Sequence, residues 1–290
     1  MKKGIGLLLV IIVLACQQKE VDLTELFSFS KSLKEVSGII ITDDSPLIWT
    51  LEDSGNKNEI YAVDDKGKIK KTVELKGVKN YDWEDITKDS QGNLYVGDFG
   101  NNDNSRKDLA IYKIDKKALS GSEAVPSAII RFAYPEQTDF PSKKKNRNFD
   151  VEGFIEWKGN FYLFTKNRSS NFDGTAFVYK IPNATGYHQA QRIGEFITGP
   201  DFDNYAITSV AMSPDEKKVA LLTHSKIILF QSFEKDDFLS GQRTDLDLNH
   251  SSQKEGICFK DNTTVYIADE KVKKTGGKLY EFKIQNQSQN

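Results

Sequence analysis

The sequence predicts an all-β protein, a five-bladed β-propeller with four antiparallel strands in each blade. Two observations support this fold. One segment plan, made of short apolar stretches separated by polar turns, recurs five times along the chain. The last copy ends before a fourth strand, and a stretch near the N-terminus has the alternation needed to replace it. Repeated strand units of this size predict a closed ring of small sheets.

The first strand of each copy carries a polar residue at one fixed position. The five strands open with Val36-Ser37-Gly38-Ile39, Trp83-Glu84-Asp85-Ile86, Val151-Glu152-Gly153-Phe154, Ile207-Thr208-Ser209-Val210 and Lys254-Glu255-Gly256-Ile257. The polar residues are 47, 68, 56 and 47 residues apart. A β-sandwich is the alternative fold, but it does not predict a polar residue that recurs at one register.

The remaining strands follow in order within each copy. Second strands are predicted at residues 47–51, 93–97, 160–164, 218–222 and 264–268, and third strands at 60–63, 109–114, 176–181, 227–231 and 278–284. Fourth strands are predicted at 71–75, 128–133, 192–197 and 243–248. The fifth copy lacks one, so residues 26–29 are expected to pair with it and close the ring. The propeller is expected to span residues 26–285, followed by a polar tail, 286–290.

The N-terminus has the pattern of an export signal. Two lysines precede an apolar run, 5–15, that is too short to span a bilayer. The run ends in Val13-Leu14-Ala15-Cys16, which resembles the lipobox of bacterial lipoproteins. The resemblance implies a signal peptide over residues 1–15, acylation of Cys16 and a polar tether that ends at residue 25. We expect a lipid-anchored protein of the cell envelope, on the outer membrane if the cell has two membranes. An ordinary signal peptide with an incidental cysteine is the alternative.

Composition excludes some classes of function. The formal net charge is −2, with 40 basic and 42 acidic residues, so no basic surplus predicts binding to nucleic acid. The only cysteine besides Cys16 is Cys258, so no intrachain disulfide is expected. The expected partners are the lipid membrane, through acylated Cys16, and a small anionic ligand or a protein. We expect a monomer.

The recurring polar register predicts a metal site. In a propeller the first strands surround the axis, so Ser37, Glu84, Glu152, Thr208 and Glu255 are expected to meet at one mouth of the channel. Carboxylates brought this close repel one another unless a cation compensates them. Carboxylate and hydroxyl oxygens without histidine or cysteine favour Ca²⁺ over Zn²⁺. The alternative is that these residues cap strands by bonding backbone amides.

Further polar residues follow the second strands and are expected on the same face. Lys166 and Arg168 are candidates to bind a phosphate or another small anion. Glu52, Asp53 and Asp98 are candidate catalytic residues that position a water or a second cation. His224 is a candidate ligand-binding residue or general base. The alternative for all six is an exposed polar loop.

The order Ser, Glu, Glu, hydroxyl, Glu resembles the central calcium site of the calcium-activated nucleotidases, or apyrases, which are five-bladed propellers. That resemblance implies Ca²⁺ at the register and hydrolysis of phosphate anhydrides. The nucleotidase pattern has a basic residue where this chain has Ser54. The Ser-Gly-Ile and Trp-Glu-Asp-Ile openings also resemble bacterial envelope propellers of the SdiA-regulated kind, which imply no particular activity.

Two functions follow from the sequence. The first is an envelope lipoprotein whose calcium-centred propeller binds a small anionic ligand or a partner on one face. The second is a calcium-dependent phosphohydrolase that acts on phosphate esters or anhydrides. The missing basic residue at Ser54 favours the binding function.

Overall fold

The blades form because short apolar strands between tight turns can bury both faces of a small sheet against its neighbours. The computed structural model describes residues 23–284, and these form five main sheets. The first strands of consecutive sheets contact one another in a closed cycle. This arrangement confirms the predicted five-bladed β-propeller. Cys16 and the polar tail lie outside the described residues, and within residues 23–284 no helix is both long and apolar enough to cross a membrane.

The strands follow one another in chain order. Strand β1 (Thr24–Ser28) precedes blade 1, which contains β2 (Val36–Thr42), β3 (Ser45–Glu52), β4 (Glu59–Val63) and β5 (Ile69–Leu75). Blade 2 contains β6 (Trp83–Lys88), β7 (Leu94–Asp98), β8 (Ala110–Ile114) and β10 (Ala128–Ala133), with β9 (Glu123–Ala124) before β10. Blade 3 contains β11 (Asp150–Trp157), β12 (Asn160–Lys166), β13 (Thr175–Pro182) and β15 (Gln191–Ile197), with β14 (Gly186–Gln189) before β15.

The chain then completes the ring. Helix α1 (Phe202–Tyr205) precedes blade 4, which contains β16 (Ser209–Met212), β17 (Lys218–Leu222), β18 (Lys226–Gln231) and β19 (Gln242–Asp247). Blade 5 contains β20 (Lys254–Asp261), β21 (Thr264–Asp269) and β24 (Lys278–Lys283), with the small hairpin β22 (Lys271–Val272) and β23 (Thr275–Gly276) before β24. Short 3-10 helices lie at Lys116–Ser120, Lys144–Asn146 and Phe238–Ser240.

The N-terminal strand closes the ring, as the sequence predicts. Strand β1 pairs antiparallel with β24, with Thr24 opposite Glu281 and Ser28 opposite Lys278. An ion pair of 2.6 Å between Lys278 Nζ and Glu25 Oε2 lies beside this ladder. The strand begins two residues before the expected propeller boundary, because Thr24 and Glu25 continue the pairing.

Blades 1 and 2 each carry a fifth strand that the sequence does not predict. Strand β9 pairs in parallel with β5, and β14 pairs in parallel with β10. Each of them lies in the connection between the third and fourth strands of one blade. It pairs with the outermost strand of the preceding blade. Two and four residues are too short to show a hydrophobic alternation, which is why the pattern misses them. We call β1, β9 and β14 the bridging strands.

Apolar side chains fill the interfaces between adjacent blades. In residues 23–284 the buried apolar residues fall into five clusters, and each cluster draws on two neighbouring blades. Between blades 2 and 3, the rings of Phe99 and Phe154 pack edge to face with their centroids 5.1 Å apart. Such a pair contributes about 0.5–1.5 kcal/mol beyond its buried area. The ring is therefore held by its core, without a disulfide.

The residues that directly follow the register residues in the five first strands meet at the central axis and fill it. The five residues at this level are Gly38, Asp85, Gly153, Ser209 and Gly256. Asp85 from blade 2 and Ser209 from blade 4 are bonded across the axis at 3.4 Å, and Phe154 N donates to Asp85 at 3.2 Å. Gly38 has a φ of +65°, and a Cβ there would lie 2.6 Å from Asp85 Oδ1. The axis is therefore blocked, and the two faces of the ring are separate.

Candidate metal centre

Three glutamates of the predicted register lie in β-bulges at the start of first strands. Glu84, Glu152 and Glu255 are each the extra residue between two successive pairs of the strand ladder. A bulge leaves its extra residue unpaired and redirects the side chain. All three lie on the top face, which we define as the face where first strands begin and second strands end.

Five carboxylates meet on this face. One oxygen from each of Asp53, Asp82 and Glu84 lies within 4.8 Å of the others, and the same holds for Glu84, Asp150 and Glu152. Asp53 follows β3, Asp82 precedes β6, and Asp150 begins β11. Glu84 belongs to both groups and joins them. We call these five residues the acidic cluster.

Glu84 is the least compensated member of the acidic cluster. Its residue surface is 6% exposed, and its carboxylate accepts no hydrogen bond from any residue between 23 and 284. Asp82 and Glu84 pack against Gly100. A Cβ added to Gly100 would lie 2.1 Å from Glu84 Oε1. Burial, and then repulsion from Glu152, raises the pKa of Glu84 well above its usual range. A buried carboxylate repelled by four neighbouring carboxylates marks a place where a cation or a proton would be stabilised.

Three further members of the cluster have raised pKa values, and burial is the main cause for Asp53. Burial and then the charge of Asp53 raise the pKa of Asp82 to about 7. Burial and then Glu152 raise the pKa of Asp150 to about 7, although Arg168 acts in the opposite direction. The cluster therefore holds more negative charge than its own neighbours neutralise.

Lys166 and Arg168, the predicted anion-binding pair, lie against this cluster. Arg168 Nη2 is 2.7 Å from Glu152 Oε1, and its Nε is 2.6 Å from Asp150 Oδ2. Lys166 Nζ is 3.1 Å from Glu152 Oε2. Burial alone would lower the pKa of Lys166, but the carboxylates outweigh burial and leave it raised. Two cations thus face five carboxylates.

The hydroxyls of the register are bonded to backbone carbonyls. Ser37 Oγ donates to the carbonyl of Glu84, and Thr208 Oγ1 donates to the carbonyl of Leu222 at 3.5 Å. The oxygens that the structure brings together therefore differ from the predicted register. Asp53, Asp82 and Asp150 accompany Glu84 and Glu152, where Ser37 and Thr208 were expected.

Glu255 does not belong to the acidic cluster, although its charge adds to the raised pKa of Asp53. His224 Nε2 is 3.3 Å from Glu255 Oε1, so these two predicted site residues contact each other. Burial, and then repulsion from Glu255, raises the pKa of Glu270 to about 8. This side of the top face carries a second, smaller group of acids.

The other predicted catalytic residues are held by local bonds. Asp98 is fully buried, 2.9 Å from Arg106 Nη2, and it accepts a hydrogen bond of 2.8 Å from Tyr112. Glu52 is also buried, and it accepts a hydrogen bond of 2.8 Å from the backbone amide of Lys34. Of the three predicted catalytic acids, only Asp53 lies in the acidic cluster.

Asp82 and Asp150 are site residues that the sequence analysis missed. Each stands two residues before a register glutamate, in Asp82-Trp83-Glu84 and Asp150-Val151-Glu152. The recurring Asp-x-Glu spacing was a usable signal, because residues two apart near a strand start project to the same side.

A second concavity lies on the opposite face. A cavity of about 660 Å³ opens at the far ends of the first strands, with apolar walls that include Ile86, Ile155 and Ile257. Its rim charges are paired, as in the 2.6 Å contact between Lys88 Nζ and Asp43 Oδ1. The blocked axis separates this cavity from the acidic cluster, so the two cannot act as one site.

Comparison with known proteins shows the fold and no family. Neither a family model nor a curated protein matches this chain. Among solved structures, the PQQ-bound aldose sugar dehydrogenase from Streptomyces coelicolor is similar, with a TM-score of 0.54 and 12% identity over 92% of this chain and 99% of that one. A gluconolactonase from Xanthomonas campestris has a TM-score of 0.49 and 12% identity over 92% and 91% of the two chains.

Identities this low establish a shared fold only. The solved structures named above include neither a nucleotidase nor an SdiA-regulated propeller, so both resemblances stay predictions. The chain is therefore a five-bladed β-propeller with an acidic cluster that could bind a metal ion, and its function has to be argued from its own residues.

Proposed function

We propose that the protein is a calcium-binding propeller whose top face binds a small anionic ligand or partner. The observation that carries this proposal is Glu84, a buried carboxylate that accepts no hydrogen bond from residues 23–284 and joins two groups of acids. A divalent cation supplies the compensation that the neighbouring side chains do not.

The donor set fits calcium. Asp53, Asp82, Glu84, Asp150 and Glu152 offer oxygens only, and hard cations such as Ca²⁺ take six to eight oxygen ligands. Zinc prefers nitrogen and sulfur donors, and the cluster contains neither histidine nor cysteine. When bound, the ion would offset part of the negative charge of the cluster and offer a positive charge to an anionic group on the top face. Lys166 and Arg168 add positive charge on one side of that position.

The proposal includes a membrane anchor. Acylation of Cys16 would hold the protein at the envelope membrane. Support for the anchor is the lipobox-like Val13-Leu14-Ala15-Cys16.

Calcium dependence of stability tests the proposal. A ligand that binds only the native ring stabilises it by about 2.7 kcal/mol at a hundredfold excess over Kd, so chelation should lower Tm. Glu84→Gln keeps the shape of the side chain and removes its charge, so the calcium-dependent Tm shift should shrink or vanish. Glu234→Gln, at an exposed position far from the cluster in sequence, should keep the full shift. Equal Tm values with calcium and with chelator in the wild type would refute the proposal.

A calcium-dependent phosphohydrolase is the second candidate function. The observation in its favour is Asp82, half-buried in the cluster with a pKa of about 7, which suits a general base near neutral pH. Asp82→Asn removes the base but keeps a side-chain oxygen that can face the ion, so hydrolysis of a phosphate ester should be lost while part of the calcium-dependent Tm shift remains. Purified protein that binds calcium but hydrolyses no member of a panel of nucleotides and phosphate esters would leave the binding function alone.

A further inference from the structure

We infer that calcium and an oxyanion bind the top face cooperatively, because Lys166 and Arg168 occupy the carboxylates that the cation needs and become free when it binds. This inference rests on the proposed calcium site. It adds the chemical class of the anionic ligand and the exchange by which calcium replaces Lys166 and Arg168 at the carboxylates.

All four carboxylate oxygens of Asp150 and Glu152 already have partners. Both oxygens of Glu152 contact cations, Arg168 at 2.7 Å and Lys166 at 3.1 Å. Asp150 Oδ2 lies 2.6 Å from Arg168 Nε, and its Oδ1 accepts a hydrogen bond of 2.6 Å from the amide of Asn101. A divalent ion held by these same oxygens would repel both side chains, so cation binding competes with the two ion pairs.

Competition leaves one buried positive charge, on Lys166, and one half-buried positive charge, on Arg168, without their carboxylate partners. The side chain of Lys166 is 5% exposed and that of Arg168 is 25% exposed. Both lie over the ring of Phe202 in α1, at 6.0 Å and 5.9 Å from its centroid. Phe202 in turn packs edge to face on Phe172. The freed charges therefore stay at the mouth of the site, where an uncompensated buried charge is costly.

The compensating ligand is a dianionic oxyanion. Two released cations beside a bound divalent ion favour a doubly charged anion, and a phosphate monoester carries about −1.5 to −2 near neutral pH. Arginine offers a fork that matches two phosphate oxygens, and lysine adds a point charge. A phosphate group would contact Lys166 and Arg168 on one side and the bound cation on the other.

Calorimetric titration of the purified full-length protein tests the coupling. Inorganic phosphate is titrated in calcium and in chelator, and calcium is titrated with and without phosphate. We expect phosphate to bind at least tenfold more tightly with calcium, and calcium affinity to rise by the same factor with phosphate, because coupling is reciprocal. Glycerol phosphate is titrated in parallel. If calcium raises the affinity for both inorganic phosphate and glycerol phosphate, the site recognises the phosphate group itself. If calcium raises the affinity for glycerol phosphate alone, the ligand is an ester such as a lipid headgroup.

Variants separate this inference from the calcium site itself. Arg168→Ala removes a competitor, so calcium should bind at least as tightly as in the wild type while phosphate no longer changes its affinity. Arg168→Lys keeps a charge and should restore part of the coupling, which guards against a folding defect in Arg168→Ala. Arg192→Ala, at an exposed arginine on β15, is the matched control and should keep the wild-type coupling.

Two results would overturn the inference, and they differ. If the wild type binds calcium but phosphate affinity is the same in calcium and chelator, the exchange is wrong and the calcium site stands. If the wild type binds no calcium at all, the proposed function fails and the exchange fails with it.

Discussion

At the scale of single residues, the acidic cluster makes stability depend on pH. Asp82 and Asp150 have pKa values of about 7 in the folded chain, against about 3.9 for an unperturbed aspartate. The folded state therefore binds more protons than the unfolded state between about pH 4 and pH 7. The contribution of these groups to stability is complete below that window and is lost as the pH rises through it.

We predict that Tm in chelator is lower at pH 8 than at pH 5.5, and that calcium removes much of the difference by compensating the ionised cluster. Asp82→Asn should flatten the pH dependence, whereas Asp203→Asn, at an exposed aspartate of α1, should not. Thermal melts monitored by circular dichroism at several pH values measure this. A Tm that rises with pH in chelator, with no effect of Asp82→Asn, would contradict the prediction.

A second residue-scale prediction concerns the closed axis. Gly38→Ala places a Cβ 2.6 Å from Asp85 Oδ1 at a backbone φ of +65°. Overpacking costs about 1–3 kcal/mol and a left-handed alanine about 1 kcal/mol, so unfolding by urea should show a loss of about 2–4 kcal/mol. Gly55→Ala has a similar φ of +78° but no atom within 4 Å of its Cβ, so it should lose only about 1 kcal/mol. Equal losses for both variants would mean that the axis tolerates a side chain.

The site was only partly predictable from sequence. The polar register identified Glu84 and Glu152, because a residue type that recurs once per blade reports a shared position on the axis. It missed Asp82 and Asp150, because only blades 2 and 3 carry an aspartate two residues before the register glutamate, and a spacing found in two of five copies does not stand out as a repeat. Lys166 and Arg168 were correctly expected on the top face, but their ion pairs with the acidic cluster depend on side-chain geometry that spacing does not show.

At the scale of elements, strand β1 joins the two ends of the described chain. We predict that a deletion of residues 17–30 unfolds or aggregates the domain, because it exposes the edge of β24 and removes Phe29 from the core. The lost Phe29 alone corresponds to about 3–5 kcal/mol. A deletion of residues 17–22, which leaves β1 intact, is the control and should melt as the wild type does. Unchanged melting of the longer deletion would show that β1 is dispensable.

The strand pattern was predictable where it repeats. Four strands per blade and closure by an N-terminal strand followed from five aligned copies, since strand length and alternation are local properties. Strands β9 and β14 were not predictable, because their pairing partners lie in a neighbouring blade and their sequences are too short to show a period.

At the scale of the whole molecule, the proposed lipid anchor would decide where the propeller works. We predict that Cys16→Ser moves the protein from the membrane fraction to the soluble fraction, because the acyl chains are its proposed attachment. Cys258→Ser, at a buried thiol in blade 5, is a control that should stay in the membrane fraction. Fractionation followed by immunoblotting measures both, and a Cys16→Ser protein that remains with the membrane would contradict the lipoprotein proposal.

The bridging strands connect some neighbouring blades by backbone hydrogen bonds and leave others without such a connection. They join blade 5 to blade 1, blade 1 to blade 2 and blade 2 to blade 3 through backbone pairing. Within residues 23–284, no bridging strand links blade 4 to either neighbour, so it is held there by side-chain packing and by hydrogen bonds that involve side chains, such as the one of 2.8 Å from Trp157 Nε1 to Glu216 Oε2. Local opening of the ring is therefore expected first at blade 4. The backbone amides of β17 and β18 would exchange their hydrogens with solvent before those of β4 and β8. After a protease cuts the connection before β9, the pairing of β9 with β5 would still hold the two fragments together. Cleavage on both sides of blade 4 would instead let that blade dissociate and open the ring.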